Sequence, residues 1–209
     1  ELKPLVAGNL AKRMEADLFH LDVGMLGTKA LLNALSENGY AEVAYKVAAQ
    51  ETFPSWGWWM VNGATTLYEN WPIDAKSDIS LNHIMFGEIS AWFFKALGGI
   101  KPDPNQPGFK NILLEPHFVK GLTYFEASHI GPYGLILSKW VKSNEKIDYF
   151  VTVPANSSAT LLLPGQKIKE GNQPIESNQF IKIISTDKKS SKLSLSAGSY
   201  HFTFKLNQK

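Results

Sequence analysis

The chain of 209 residues contains no cysteine. That excludes a disulfide framework and any zinc or redox site built on thiolates. It contains a single arginine, Arg13. Arginine dominates the recognition of base edges and phosphates, so nucleic acid is not an expected partner. No apolar run reaches the roughly 18–20 residues that a membrane-spanning helix needs. No serine elbow, phosphate loop or metal-ligand spacing is present, so neither a metal nor a cofactor is expected. Gly24-Met25-Leu26-Gly27 is too little to make a nucleotide loop. A hydrophobic content of 44% excludes wholesale disorder.

Tryptophan is what the chain has in quantity. Five of the six (Trp56, Trp58, Trp59, Trp71 and Trp92) fall within residues 56–92. Indole rings fill cores, and they also stack well on the apolar faces of sugar rings. Charge is divided as well. Residues 1–100 carry 7 Lys/Arg against 11 Asp/Glu, giving −4, and residues 101–209 carry 14 against 8, giving +6. The lysine excess reads as a solvated surface.

Periodicity divides the chain at the same place. Pro4 opens a helix with Leu5, Leu10, Met14 and Leu18 at helical spacing. Thr28 is expected to cap a second helix with Leu31, Leu32 and Leu35 on one face, ended by Asn38-Gly39. A third runs from Ala41 to Gln50. A fourth opens at Pro54-Ser55 and runs toward Tyr68. Ser80 or Asn82 is expected to cap a last one, over roughly 84–97, ended by Gly98-Gly99. Lys101-Pro-Asp-Pro-Asn-Gln-Pro-Gly108 cannot continue a helix. Beyond it the period falls to two, with strands expected at 111–115, 122–128, 135–141, 146–153, 159–163, 180–185, 192–195 and 200–206. The organisation predicted is a helical part at 1–100, a proline-rich linker at 101–110 and an antiparallel β-sandwich at 111–209. Five helices with long apolar faces make a thin domain. They predict one side of a larger helical assembly, or a flank that self-associates.

Glu69 is the one acidic residue between Thr52 and Ile73. A lone carboxylate among aromatic rings must be hydrogen-bonded, paired or facing a wet cavity. Such a group suits general acid–base work, although a structural Glu satisfying an indole N–H fits the same pattern. Ser80-Leu-Asn-His83 offers donors and acceptors for sugar hydroxyls, or plain helix capping. His20 and Asp22 are close enough in sequence to hydrogen-bond, but no nucleophile or metal spacing accompanies them. Hydrolysis by carboxylates is the enzyme chemistry that remains.

The run Pro54-Ser-Trp-Gly-Trp-Trp-Met-Val-Asn-Gly-Ala-Thr-Thr-Leu-Tyr-Glu-Asn-Trp71 resembles the C-terminal part of bacterial α-L-rhamnosidases of glycoside hydrolase family 78. His20-Leu-Asp-Val-Gly-Met-Leu-Gly27, Leu35-Ser-Glu-Asn-Gly39, Ser80-Leu-Asn-His83, Phe86-Gly87, Gly99-Ile-Lys-Pro-Asp103 and Pro107-Gly-Phe-Lys110 resemble that family in the same order. The resemblance weakens after about residue 165. It implies the closing helices of an (α/α)6 barrel followed by a C-terminal β-sandwich, and an inverting release of terminal α-L-rhamnose from a rhamnose-containing carbohydrate. It places Glu69 at the general base and His83 at a rhamnose contact. Asn82, Trp56 and Trp71 lie near them by motif as further substrate-binding candidates. The general acid belongs to an earlier acidic segment with no counterpart here, so this chain alone is expected to be inactive. If it does hydrolyse, Asp22 and Glu88 are the candidate acids. Two features depart from the family pattern: Asn70 stands where the family often carries Arg, and the connection from Trp71 to Ser80 is short. The competing reading is a non-catalytic carbohydrate-binding or structural module.

Overall fold

A computed structural model describes residues 2–73, 80–144, 146–165 and 167–206. The chain forms two compact units, Glu1–Trp92 and Phe93–Lys209. The division falls between Trp92 and Phe93, ahead of the boundary expected after residue 100.

The first unit holds α1 (Lys3–Ala16), α2 (Met25–Glu37), α3 (Ala41–Ala48), α4 (Trp56–Val61) and α5 (Glu88–Trp92), with a 3-10 turn at Ile84–Gly87 leading into α5. Pro4 sits in the first turn of α1, where its missing N–H is harmless. The buried stripe of α1 is Ala7, Ala11 and Met14. This corrects the expected stripe in part: Met14 is buried as expected and Leu10 half-buried, but Leu5 and Leu18 are exposed. Ala7 and Ala11 let α1 lie close against α2 and α3, Met14 fills the end of that face, and Leu5 and Val6 are exposed. Helix α2 starts at Met25, a turn earlier than expected. Thr28 is therefore not its cap but lies buried within it, with its hydroxyl donating to Met25 O at 3.0 Å. Leu31, Leu32 and Leu35 are buried as the periodicity predicts. Trp92 Nε1 donates to Ser36 Oγ at 2.8 Å, tying α5 to α2. Among the described residues no helix is long and apolar enough to cross a membrane.

The second unit begins with a π-type turn at Phe93–Leu97 and continues as strands β1 (Ile100–Pro102), β2 (Asn111–Leu114), β3 (Tyr124–Gly131), β4 (Gly134–Ser143), β5 (Lys146–Val153), β6 (Ser158–Pro164), β7 (Lys169–Glu170), β8 (Gln173–Pro174), β9 (Ile181–Thr186), β10 (Ser190–Leu195) and β11 (Gly198–Lys205). They form a five-stranded sheet, β1-β2-β6-β10-β9, and a six-stranded sheet, β3-β4-β5-β11-β7-β8. Every pairing is antiparallel except β2 with β6, which run parallel. The alternation Ile147, Tyr149, Val151, Val153 points inward as expected and meets Trp140, Phe202, Leu161 and Leu193 in one core. Three short strands (β1, β7 and β8) carry no period of their own and escape a sequence reading.

Residues 93–98 belong with this sandwich because its polar groups hold them. Trp140 Nε1 donates to Leu97 O at 2.9 Å, and Ser138 Oγ donates to Gly98 O at 2.5 Å. Gly99 has φ +70°, and a Cβ there would lie 2.2 Å from Pro116 N. No larger residue fits that turn. The expected helix over 84–97 is thus three short pieces, its last turn drawn onto the β unit.

Candidate active site

Ser55 starts α4 by accepting from Trp58 N–H at 2.9 Å, the capping bond that a serine before a helix supplies. The helix stops after six residues, far short of Tyr68. Asn62 turns its side chain back to Trp58 O at 2.8 Å, and Gly63 takes φ +85°, a conformation open to glycine and strained for most residues. Ala64 N–H closes the end by donating to Trp59 O at 2.9 Å. The chain then continues without helix or strand past Leu67 and Tyr68, bending at Glu69 and Asn70.

That stretch is hydrogen-bonded to the segment around Ser80. Glu69 N–H donates to Ser80 O at 3.0 Å, and His83 N–H donates to Leu67 O at 2.7 Å. Thr66 Oγ1 adds a bond to Leu81 O. Ser80 N–H donates to the carboxylate itself, reaching Glu69 Oε2 at 2.9 Å. Glu69 is half-buried, and among the described residues it has no ion-pair partner. Its side chain is therefore neither fully exposed nor fully buried. His83 is half-buried and Asn82 is exposed, on the segment facing Glu69. Neither Ser80 nor Asn82 caps the helix that follows, which corrects the capping expectation. Ser80 Oγ instead bridges to Asn82, accepting from its N–H at 3.2 Å and donating to its O at 3.1 Å.

An aromatic cluster fixes this ladder from below. Trp59, Trp71 and Phe86 approach one another with ring centroids 4.3–5.2 Å apart, and Trp56 packs edge-on against Trp71 at 5.4 Å. Buried indole N–H groups usually find acceptors; Trp58 Nε1 has none among the described residues, whereas the three indoles of this cluster do. Trp59 donates to Trp71 O at 2.9 Å, Trp71 to Val23 O at 2.9 Å and Trp56 to Phe86 O at 3.1 Å. Trp59 thus anchors the chain two residues beyond Glu69. Trp56 is 4% exposed and Trp71 9%, so both rings are chiefly packing elements here. Trp71 still lines an open hollow of about 500 Å³ with Asp22, Phe53, Pro54 and Asn70. That volume suits a small sugar unit.

The other sequence candidates are placed apart. His20 does not bond Asp22: its Nε2 lies 2.7 Å from Thr52 Oγ1 and its Nδ1 3.0 Å from Asp17 O. Asp22 turns to Arg13 at 3.6 Å and is mostly exposed. Glu88 Oε1 accepts from Asn33 Nδ2 at 2.9 Å. The short connection that departs from the family pattern lies mainly in 74–79, outside the described residues. Among the described residues no three His, Asp or Glu side chains approach closely enough to hold a metal ion.

Residues 1–97 match the family model for the bacterial alpha-L-rhamnosidase 6 hairpin glycosidase domain, and residues 99–178 match that for the bacterial alpha-L-rhamnosidase C-terminal domain. The chain belongs to the bacterial α-L-rhamnosidase family. It is 34% identical over 94% of its length to an alpha-L-rhamnosidase of Formosa agariphila and 32% identical over 91% to one of Alteromonas sp.. It spans about a fifth of these relatives, 22% and 20% respectively, and corresponds to a C-terminal part. Among solved structures it is similar to an α-L-rhamnosidase of Dictyoglumus thermophilum, at 33% identity and TM-score 0.80, covering 90% of this chain and 21% of that one. It is also similar to a Streptomyces avermitilis α-L-rhamnosidase complexed with L-rhamnose, at 25% identity and TM-score 0.84, covering 97% and 20%. The order of helices and sheets is that of these rhamnosidase structures. Strands β9 to β11 lie beyond the matched family segment.

Proposed function

We propose that the protein containing this chain is an inverting α-L-rhamnosidase in which Glu69 is the general base. The supporting observation is the Glu69 carboxylate, half-buried and held through one oxygen by Ser80 N–H. In an inverting mechanism, a carboxylic acid protonates the leaving oxygen while a carboxylate takes a proton from the attacking water on the opposite face, with the two carboxyl groups about 6.5–9.5 Å apart. Glu69 accepts that proton. His83 contacts the rhamnose ring, with Asn82 beside it on the same segment. Trp71 and Asn70 line a separate hollow whose walls include neither Glu69 nor His83, and Trp56 supports the ring cluster. The general acid comes from sequence outside this chain. The substrate is a carbohydrate or glycoside ending in α-L-rhamnose.

The exposed apolar residues of the helical unit fit this reading. Leu2, Leu5, Val6, Met60, Val61 and Ile84 are open to solvent, and Ile84 is 85% exposed. In the parent protein the remaining helices of the barrel cover them.

In the full-length protein, Glu69→Gln is expected to lower kcat by about 10²–10⁴-fold on an aryl α-L-rhamnoside while substrate still binds. Near-normal turnover by that variant overturns the assignment. The 209-residue chain alone is expected to hydrolyse nothing. Robust hydrolysis by it would place the acid within the chain, at Asp22 or Glu88.

A further inference from the structure

We propose that Ser80 is the positioning residue for the catalytic carboxylate, holding Glu69 so that one oxygen is fixed and the other is left to take the proton from water. This rests on the reading of Glu69 as general base. Two hydrogen bonds join the same pair of residues. Glu69 N–H donates to Ser80 O at 3.0 Å, and Ser80 N–H returns to Glu69 Oε2 at 2.9 Å. The first sets the backbone of the base, and the second sets its side chain. Among the described residues Glu69 Oε1 has no hydrogen-bond partner, and in this proposal that oxygen is assigned to the attacking water.

The Ser80 hydroxyl makes this arrangement possible. Its two bonds to the main chain of Asn82, at 3.2 and 3.1 Å, fold residues 80–82 into a tight turn. In this proposal the turn holds Ser80 in place, so that its N–H stays within reach of the carboxylate. His83 joins the same ladder through a backbone bond of its own, its N–H donating to Leu67 O at 2.7 Å without the Ser80 hydroxyl. The base and the expected sugar contact therefore share one backbone ladder. A glutamate side chain has several rotatable bonds, and a general base must lie within hydrogen-bond reach of the water it activates. A displacement of about 1 Å can cost on the order of 10²-fold in rate. Removing the hydroxyl loosens the turn without touching the substrate.

The experiment compares Ser80→Ala, Ser80→Thr and Glu69→Gln in the full-length protein, each checked for folding by circular dichroism and thermal melting. Ser80→Ala is expected to lower kcat by about 10–100-fold, with KM for the rhamnoside within about twofold, because the loss falls on the transition state. Ser80→Thr keeps the hydroxyl and is expected to stay within about threefold of the parent kcat. Should Ser80→Ala fail to fold, Ser80→Cys replaces it, since a thiol keeps the volume but weakens both bonds. An unchanged kcat, a change confined to KM, or a Ser80→Thr protein as slow as Ser80→Ala overturns the proposal while leaving Glu69 in place. Near-normal turnover by Glu69→Gln removes the base and the positioning role together.

Discussion

In the β unit the inward-facing side chains are sealed: Ile112, Leu114, Ile136, Trp140, Ile147, Leu161, Leu193 and Phe202 have no exposed surface. The helical unit also buries some residues completely, among them Leu35 and Val47, yet it leaves Leu5, Met60 and Ile84 in water. Strands alternate in and out, so two sheets can close a core between themselves. A helix carries apolar residues around a wide arc, and a few helices cannot cover one another on every side. The candidate active segment belongs to the unit that does not close on itself. It is held by an aromatic cluster and a short backbone ladder rather than by a wide core.

The largest expected effect tests that dependence. Trp59 is 1% exposed, contacts Trp71, Phe86 and Tyr68, and anchors Trp71 O. Trp59→Ala is expected to destabilise the helical unit by about 3–5 kcal/mol. In thermal denaturation followed by circular dichroism, the helical signal should melt first while the β signal keeps its midpoint. A joint fall of both transitions would show that the units do not melt independently.

Acid is expected to act in the opposite direction, on the β unit. Burial pushes the His117 ring down from 6.5 to about 4, helped by the nearby Lys101 ammonium and opposed by Glu115. The fold keeps this ring neutral, whereas the unfolded chain protonates it at its ordinary value. Above pH 6.5 His117 is neutral in both states and stability is unaffected. Between 6.5 and 4 acidification favours unfolding. Because the residue keeps some solvent exposure, the loss at pH 4 is held to about 2 kcal/mol. Urea unfolding at pH 7 and pH 4 measures it, and His117→Gln is expected to flatten the difference.

The smallest effect concerns the open flank. In this chain Ile84→Ser and Leu5→Ser are expected to change stability by no more than about 0.5 kcal/mol, because both residues already face water. In the full-length protein the same changes are expected to cost about 1–3 kcal/mol if the barrel covers them. Equal midpoint shifts in the two proteins would show that the flank is uncovered in both.

Much of the fold was legible from local pattern. The period-two run at 146–153, the glycine-flanked turn at 131–134 and the leucine stripe of α2 each depend on residues close in sequence. The misreadings share a cause. Thr28, Ser80 and Asn82 all suit a helix cap, and their local chemistry cannot say whether the helix begins beside them. The stripe of α1 looked apolar through Leu5 and Leu18, but of the residues at that spacing only Met14 is fully buried, the rest of the buried face being Ala7 and Ala11. The last helix was overrun because Trp140 and Ser138, some forty residues away, pull 97–98 onto a sheet.

The candidate site divides in the same way. Glu69 stood out as an isolated carboxylate within an aromatic run, and motif order placed His83 with it. The donor that holds Glu69 is a backbone N–H, which every residue but proline possesses, so no residue type announces it. The occupied indole N–H groups of Trp56, Trp59 and Trp71 were equally invisible, since their acceptors are carbonyl groups distant in sequence.

By itself the sequence determined where helices give way to strands, which faces turn inward along a strand, and which carboxylate has no acidic neighbour, because these follow from periodicity and composition. Tertiary structure alone decided which indoles serve as packing, where the first unit ends, and that Ser80 meets Glu69. Those outcomes depend on hydrogen bonds closed between residues 10 to 50 positions apart, and local chemistry carries no record of such distant partners.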